Sequence, residues 1–294
     1  MQPILTIAVI GAGAWGTALA KLLAEKGLTV RLWAYELDVA RAINTSHENP
    51  VFLKGVPLPQ VLTATGSLAE AVDGCHAVLF ATPSHVARSV LQRLAPSLTH
   101  PVPLISATKG LEEGTAKLMT QVMEEVLPPA FHHSLLVLSG PSFASELSAG
   151  RPTAVCLAGS DDQIVQQFQQ VLMTPTFRVY ADLDVTGVQL GGALKNVIAL
   201  AAGIVDGLEL GLNARAALIT RGLAEIVRLG AAMGADPRTF YGLSGVGDLV
   251  LTCTGPLSRN HAVGLRIGKG ESLEAILSAM HTVAEGVRTA RAAL

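Results

Sequence analysis

The chain has 294 residues, half of them hydrophobic and only 15% charged, with a mean hydropathy of +0.45, so it must fold compactly and is long enough for two domains. That length excludes a short disulfide-stapled scaffold, and the three cysteines, Cys75, Cys156 and Cys253, odd in number and too far apart for a CxxC pair, fit a reducing compartment. A formal net charge of −2 offers no basic surface to nucleic acid or an anionic membrane, and neither is an expected partner.

Leu5–Ile10, apolar but for Thr6, is a run that stops at glycine, the pattern of a strand buried on both faces of a parallel sheet. Residues 1–20 are uncharged, but no Lys or Arg precedes the apolar run, so an export signal is not expected and the location is read as cytoplasmic. Trp15, Ala18, Leu19, Leu22 and Leu23 recur at helical spacing up to Gly27, and Leu28–Ala34 reads as a second strand, completing a right-handed βαβ unit. The alternation continues with strands at Ala77–Ala81, Pro103–Ala107 and Leu135–Leu138 and helices at Val86–Leu94 and Thr115–Val126. The uncharged stretch 126–145 contains Pro128, Pro129 and Pro141 and cannot be a spanning helix. Weaker signals give a strand at Thr153–Leu157, a helix near Asp162–Leu172 and a strand at Phe177–Tyr180. Together these predict an α/β fold with a doubly wound parallel sheet. After residue 181 the strands stop: Val188, Leu194, Val197, Ile198, Ala201 and Val205 are helically spaced, and a second periodic stretch covers Ala214–Met233. The expected division is a sheet domain over 1–181 and a mostly helical domain over 182–294.

Gly11-Ala-Gly13-Ala-Trp-Gly16 follows the first strand and opens the first helix, the context a dinucleotide-binding turn requires. Gly11 permits the tight turn, Gly13 lets backbone approach a pyrophosphate, Gly16 lets helix pack on strand, and the helix N-terminus offers N–H groups to the phosphates. At the end of the second strand, Glu36 is placed to accept from a ribose 2′-hydroxyl, a lean towards NAD that Arg31 or Arg41 would weaken by folding back; the bland alternative is a solvated loop carboxylate.

Four further patches are unusual for packing alone. Lys109 follows a strand at the ligand-binding edge of the sheet; Gly140-Pro141-Ser142-Phe143 has the form of an anion-cradling turn. Lys195 lies within the most apolar helix, preceded by Gly191 and Gly192, each costing about 1 kcal/mol relative to Ala, so something must approach that face closely. A buried lysine needs an anionic partner or a lowered pKa, and spacing leaves a proton donor and a structural ion pair equally open. Finally, Gly247-Asp248 precedes Ser258-Arg259-Asn260, where Ser258 suits a helix cap and Arg259 a phosphate contact. His132-His133 lacks a third ligand at usable spacing, and no metal is expected.

GAGAWGTALA at 11–20, TPSH at 82–85, ATKGLE at 107–112, GPSFA at 140–144, GVQLGGALKNVIALAAGIVDG at 187–207, NARAALITRGLAE at 213–225 and GVGDLVLTCTGPLSRN at 245–260 closely resemble the bacterial glycerol-3-phosphate dehydrogenases. The resemblance implies a Rossmann-type domain followed by a helical domain, usually paired as a homodimer, with NAD or NADP as cofactor and a small phosphorylated substrate. It implies that Lys195 carries the proton, that Asn196, Asp248 and Thr252 complete the site, and that Lys109, Gly140, Ser142, Ser258, Arg259 and Asn260 bind substrate. Ala14, Trp15, Tyr35, Phe52, Lys109, Ala144, Arg259, Val283 and Glu285 match cofactor-contacting positions, and Tyr35 stands where the family often has Arg or His. The family usually continues beyond Leu294. The implied reaction is reversible hydride transfer to dihydroxyacetone phosphate, feeding phospholipid synthesis. The competing readings are a dehydrogenase of phosphate-free 3-hydroxy acids and a dinucleotide sensor without turnover.

Overall fold

The computed structural model describes residues 6–280 and 284–293, so Leu5 and Val283 lie outside the described residues. The opening apolar run forms β1 (Thr6–Ile10), with Ile7, Ala8, Val9 and Ile10 fully buried, and leads through α1 (Ala14–Glu25) to β2 (Thr29–Trp33). Then come α2 (Leu37–Ser46), β3 (Leu62–Thr65), α3 (Leu68–Val72), β4 (Ala77–Phe80) and α4 (Ser84–Leu94). The sheet continues with β5 (Leu104–Ser106), α5 (Met119–Val126), β6 (Leu135–Ser139) and α6 (Ala144–Ser148), and ends with β7 (Thr153–Gly159), α7 (Asp162–Leu172) and β8 (Phe177–Asp182). Helix α5 starts four residues later than its periodicity suggests, because Ala116 takes a left-handed conformation and the Glu112 N–H bonds Lys117 O at 2.9 Å, closing a turn instead.

Among the described residues the strands form one sheet in the order β3-β2-β1-β4-β5-β6-β7-β8. Every neighbouring pair is parallel except β6 and β7, so the expected doubly wound parallel sheet carries one antiparallel pairing. The physical reason is the connection: residues 140–152 hold only the five-residue α6, which turns back at the same edge, whereas a parallel return needs a crossover to the opposite edge. Apolar side chains of α1, α2, α6 and α7 cover one face of the sheet and those of α3, α4 and α5 cover the other.

The second part is built around α8 (Val185–Gly207), joined by α9 (Gly211–Ala232), α10 (Asp248–Thr254), α11 (Arg259–Gly268), α12 (Leu273–Ser278) and α13 (Glu285–Ala292). Helix α8 is long and apolar enough to cross a membrane, but most of it is buried within the protein. Gly203 and Gly207 of α8 face Gly264 and Gly268 of α11, and a Cβ on any of the four would collide with the opposing backbone. Gly191 and Gly192 are explained likewise, the first lying against Ser244 O and the second against Ser139 Oγ of β6. This is the close approach that their helical cost implied, and it brings α8 onto the carboxyl edge of the sheet.

Candidate active site

Strand order reverses at β1, which lies between β2 and β4, so the β1–α1 turn opens into the crevice where such sheets bind ligands. Gly11 has φ +120°, and a Cβ there would stand 2.8 Å from Ala81 O. Gly16 lies against Gly11 O, leaving no room for a side chain, whereas a Cβ at Gly13 would meet nothing within 4 Å. The turn is thus packed from behind and open in front, at an α1 N-terminus without a side-chain cap. Trp15 places a buried Nε1 in the same region with no acceptor among the described residues. These features fit a dinucleotide's phosphates.

Asn49, which sequence pattern did not single out, fixes this turn from below. It is fully buried; its Nδ2 donates to Ala12 O at 2.8 Å and Thr17 Oγ1 at 2.9 Å, while its Oδ1 accepts from the Phe52 N–H at 3.0 Å. Phe52 is thereby held half-buried against the core. Beyond β2, Tyr35 and Glu36 are exposed, and Glu36 starts α2 without using its carboxylate as a cap. Neither nearby arginine folds back: Arg31 donates to the carbonyls of Glu70 and Asp73, and Arg41 pairs with Asp38 at 2.8 Å.

The centre of the crevice is a carboxylate between two ammoniums. Asp248 is fully buried; its Oδ1 accepts from Lys195 Nζ and its Oδ2 from Lys109 Nζ at 2.9 Å. Lys195 also donates to Thr252 Oγ1 at 3.0 Å, and that hydroxyl donates to Asp248 O at 2.6 Å, one turn back along α10. Lys109 further donates to Gly140 O at 2.7 Å and Ser142 Oγ at 3.1 Å, and its ammonium stands 5.8 Å from the centre of the Trp15 ring. The wide helical turn over Leu243–Gly247 aims Asp248 inward, and it depends on Gly245, whose backbone leaves the helical region and lies against Phe240 O. Burial is the main force on Lys195, pushing its pKa down to about 7; Lys109 adds to that fall and Asp248 opposes it.

Around this centre the remaining residues divide between exposed and scaffolding roles. Asn196 Nδ2 donates to Lys109 O at 3.2 Å, and its Oδ1 accepts from Asn260 Nδ2 at 2.8 Å, so its amide links α8, α11 and the Lys109 loop. Asn260 Oδ1 in turn accepts from the Gly286 N–H at 2.9 Å, and buried Ser258 caps α11 by accepting from the His261 N–H. Arg259 begins α11 exposed, with no ion-pair partner among the described residues. Ala144 starts α6, half-buried beside α1. Glu285 reaches the start of α4, accepting from Ser84 N–H at 3.1 Å and Ser84 Oγ at 2.5 Å; burial raises its pKa against those bonds and nearby Arg259 and Arg288.

A nucleotide turn and a buried, readily deprotonated lysine share one crevice, connected through Lys109. Hydride transfer coupled to proton transfer uses both halves, and the fold and site define a dehydrogenase dependent on a nicotinamide nucleotide. The chain belongs to the NAD-dependent glycerol-3-phosphate dehydrogenase family: the N-terminal family model matches residues 6–165 and the C-terminal one residues 184–294. The glycerol-3-phosphate dehydrogenase [NAD(P)+] of Myxococcus xanthus is 55% identical over 285 residues, covering 97% of this chain and 85% of its own. That of Geobacter metallireducens is 56% identical over 287 residues, with 98% and 86% covered. Among solved structures, glycerol-3-phosphate dehydrogenase from Coxiella burnetii superposes with a TM-score of 0.93 at 40% identity, covering 99% of this chain and 88% of that one. The Saccharomyces cerevisiae enzyme gives 0.83 at 30% identity, with 99% and 89% covered.

Proposed function

We propose that the chain reversibly interconverts dihydroxyacetone phosphate and sn-glycerol 3-phosphate with NAD(P)H, with Lys195 as the group that carries the proton. The observation supporting this role most strongly is the burial of the Lys195 ammonium on Asp248 and Thr252, beside Lys109 and within reach of the nucleotide crevice. The nicotinamide, when bound, supplies the hydride to C2 of the ketone or receives it from the alcohol. Lys195 protonates the developing alkoxide during reduction and removes the hydroxyl proton during oxidation; its lowered pKa suits both directions near neutrality. Asp248 orients the ammonium, and Thr252 fixes its second hydrogen bond.

Lys109, with Gly140 and Ser142, holds the reacting end of the substrate, and Asn196 positions Lys109 through its carbonyl. The phosphate lies at the start of α11, where Arg259 supplies charge while Ser258 and Asn260 shape the turn. Gly11, Gly13, Ala14, Trp15 and Gly16 hold the nucleotide's phosphates; Tyr35, Glu36, Phe52, Ala144 and Glu285 complete its binding surface, together with Val283 outside the described residues. Residues 1–181 serve as the dinucleotide-binding domain and 182–294 as the helical substrate domain. The proposal extends to a cytoplasmic homodimer supplying glycerol 3-phosphate for phospholipid synthesis, the location being supported by three buried, free thiols. Purified protein should oxidise NADH or NADPH when given dihydroxyacetone phosphate and form sn-glycerol 3-phosphate; turnover of a phosphate-free 3-hydroxy acid instead would replace this assignment.

A further inference from the structure

Lys109 stands near the start of the loop joining β5 to α5, a segment of turns and irregular chain that must nevertheless hold an ammonium 2.9 Å from Asp248. Three residues on, Glu112 is only 9% exposed and sits in the planar fork of Arg88 from α4. Arg88 Nε donates to Glu112 Oε1 at 2.7 Å and Nη2 to Oε2 at 2.9 Å, while Thr115 Oγ1 donates to Oε2 at 2.6 Å. The backbone of Glu112 is used as well: its N–H donates to Lys117 O at 2.9 Å and its carbonyl accepts from the Ala116 N–H at 3.0 Å. These bonds hold a loop containing two left-handed positions, Gly114 at φ +86° and Ala116 at φ +56°. The Arg88 hydrogen bonds hold the Glu112 carboxyl below the usual carboxylate range, keeping the pair charged.

We propose that Arg88, acting through Glu112, is a positioning residue for Lys109: the bidentate pair clamps the β5–α5 loop so that the ammonium stays on Gly140 O, Ser142 Oγ and Asp248. The proposal rests on the assignment of Lys109 to substrate binding in the reaction above. Two parallel charge-assisted bonds fix orientation as well as distance, which apolar contact of equal volume does not. Arg88 Nη2 also donates to Glu125 Oε2 of α5 at 2.7 Å, so one guanidinium ties both the loop and the helix that follows it to α4.

The test separates positioning from mere stability. The double variant Arg88→Met/Glu112→Leu replaces a half-buried ion pair with apolar side chains, an exchange that often leaves stability unchanged. Its thermal midpoint should stay within about 5 °C of wild type, while kcat/KM for dihydroxyacetone phosphate falls at least about tenfold because a binding group has lost its place. Glu112→Gln, which keeps the shape but not the charge, should fold and lose about threefold or more. A stable double variant with wild-type kcat/KM overturns the clamp; if the double variant does not fold, wild-type kcat/KM in folded Glu112→Gln does so. The wild-type rate tests the reaction and the variant-to-wild-type ratio tests the clamp, so the two fail separately.

Discussion

Asp248→Asn keeps the shape of the side chain and deletes the one negative charge between two ammoniums. At an effective dielectric of about 20, the Lys109–Asp248 pair at 2.9 Å carries about 6 kcal/mol of Coulomb energy. Removing one partner of a buried pair costs about 3 to 5 kcal/mol in practice. Lys195 is the more deeply buried of the two lysines and relieves its share by releasing its proton. A loss of about 3 kcal/mol corresponds to about two pH units, so a group now titrating at about 7 moves towards about 5. At pH 7 its protonated fraction then drops from about one half to about one in a hundred, and kcat for ketone reduction falls about 50-fold. The assay is the initial rate of NADH oxidation at saturating dihydroxyacetone phosphate from about pH 5 to 9, with folding followed by circular dichroism. Activity should recover as pH falls towards about 5, where the lysine is again protonated. A loss of the same factor at every pH would refute this reasoning, as would no loss at all.

Gly13→Val should leave the thermal midpoint nearly unchanged, because a Cβ there meets nothing within 4 Å, yet weaken NADH binding at least about tenfold by filling the phosphate approach; wild-type affinity in titration calorimetry contradicts the nucleotide assignment. Arg259→Ala should lower kcat/KM for dihydroxyacetone phosphate by about 10- to 150-fold and affect unphosphorylated dihydroxyacetone much less, whereas equal proportional losses would remove Arg259 from the phosphate role. In the wild type, ketone reduction should fall about tenfold per pH unit above about 7 while alcohol oxidation rises through the same point. The same lowered pKa means that the unfolded chain binds the proton more tightly, so this lysine's destabilising effect fades and stability rises from about pH 7 to about 10. Rate profiles flat across pH 7 would contradict the assignment of the proton to Lys195.

The parts of the fold legible in the sequence were those whose signals are local. Leu5–Ile10 and the helix after Gly13 announced themselves because apolar periodicity and glycine spacing act over a few residues. β3 and α3 did not: Leu62–Thr65 is a four-residue edge strand with alternating burial, and Leu68–Val72 is barely one turn. The reversed β7 was hidden because a strand reads the same in either direction and only the path of residues 140–152 decides it. Gly191 and Gly192 correctly signalled close packing on the Lys195 helix. Spacing alone could not show what Lys195 met, since Asp248 lies 53 residues on and its second partner, Lys109, is 139 residues from it. Asn49 and the Arg88–Glu112 pair left no pattern at all, because their meaning lies in hydrogen bonds between distant segments. Asn196 and Asn260 stood out only through the family resemblance, and the structure adds that their amides bind each other.

The most direct test of the proton role is Lys195→Met, assayed for ketone reduction at saturating NADH and dihydroxyacetone phosphate. Met retains an unbranched apolar stem, and Asp248 keeps Lys109 as a partner at 2.9 Å, so the variant should fold. With the proton donor gone, kcat should fall at least about 100-fold while NADH binding changes little. A folded Lys195→Met protein with kcat within about threefold of wild type would contradict general acid catalysis by this residue and leave it a structural ion pair.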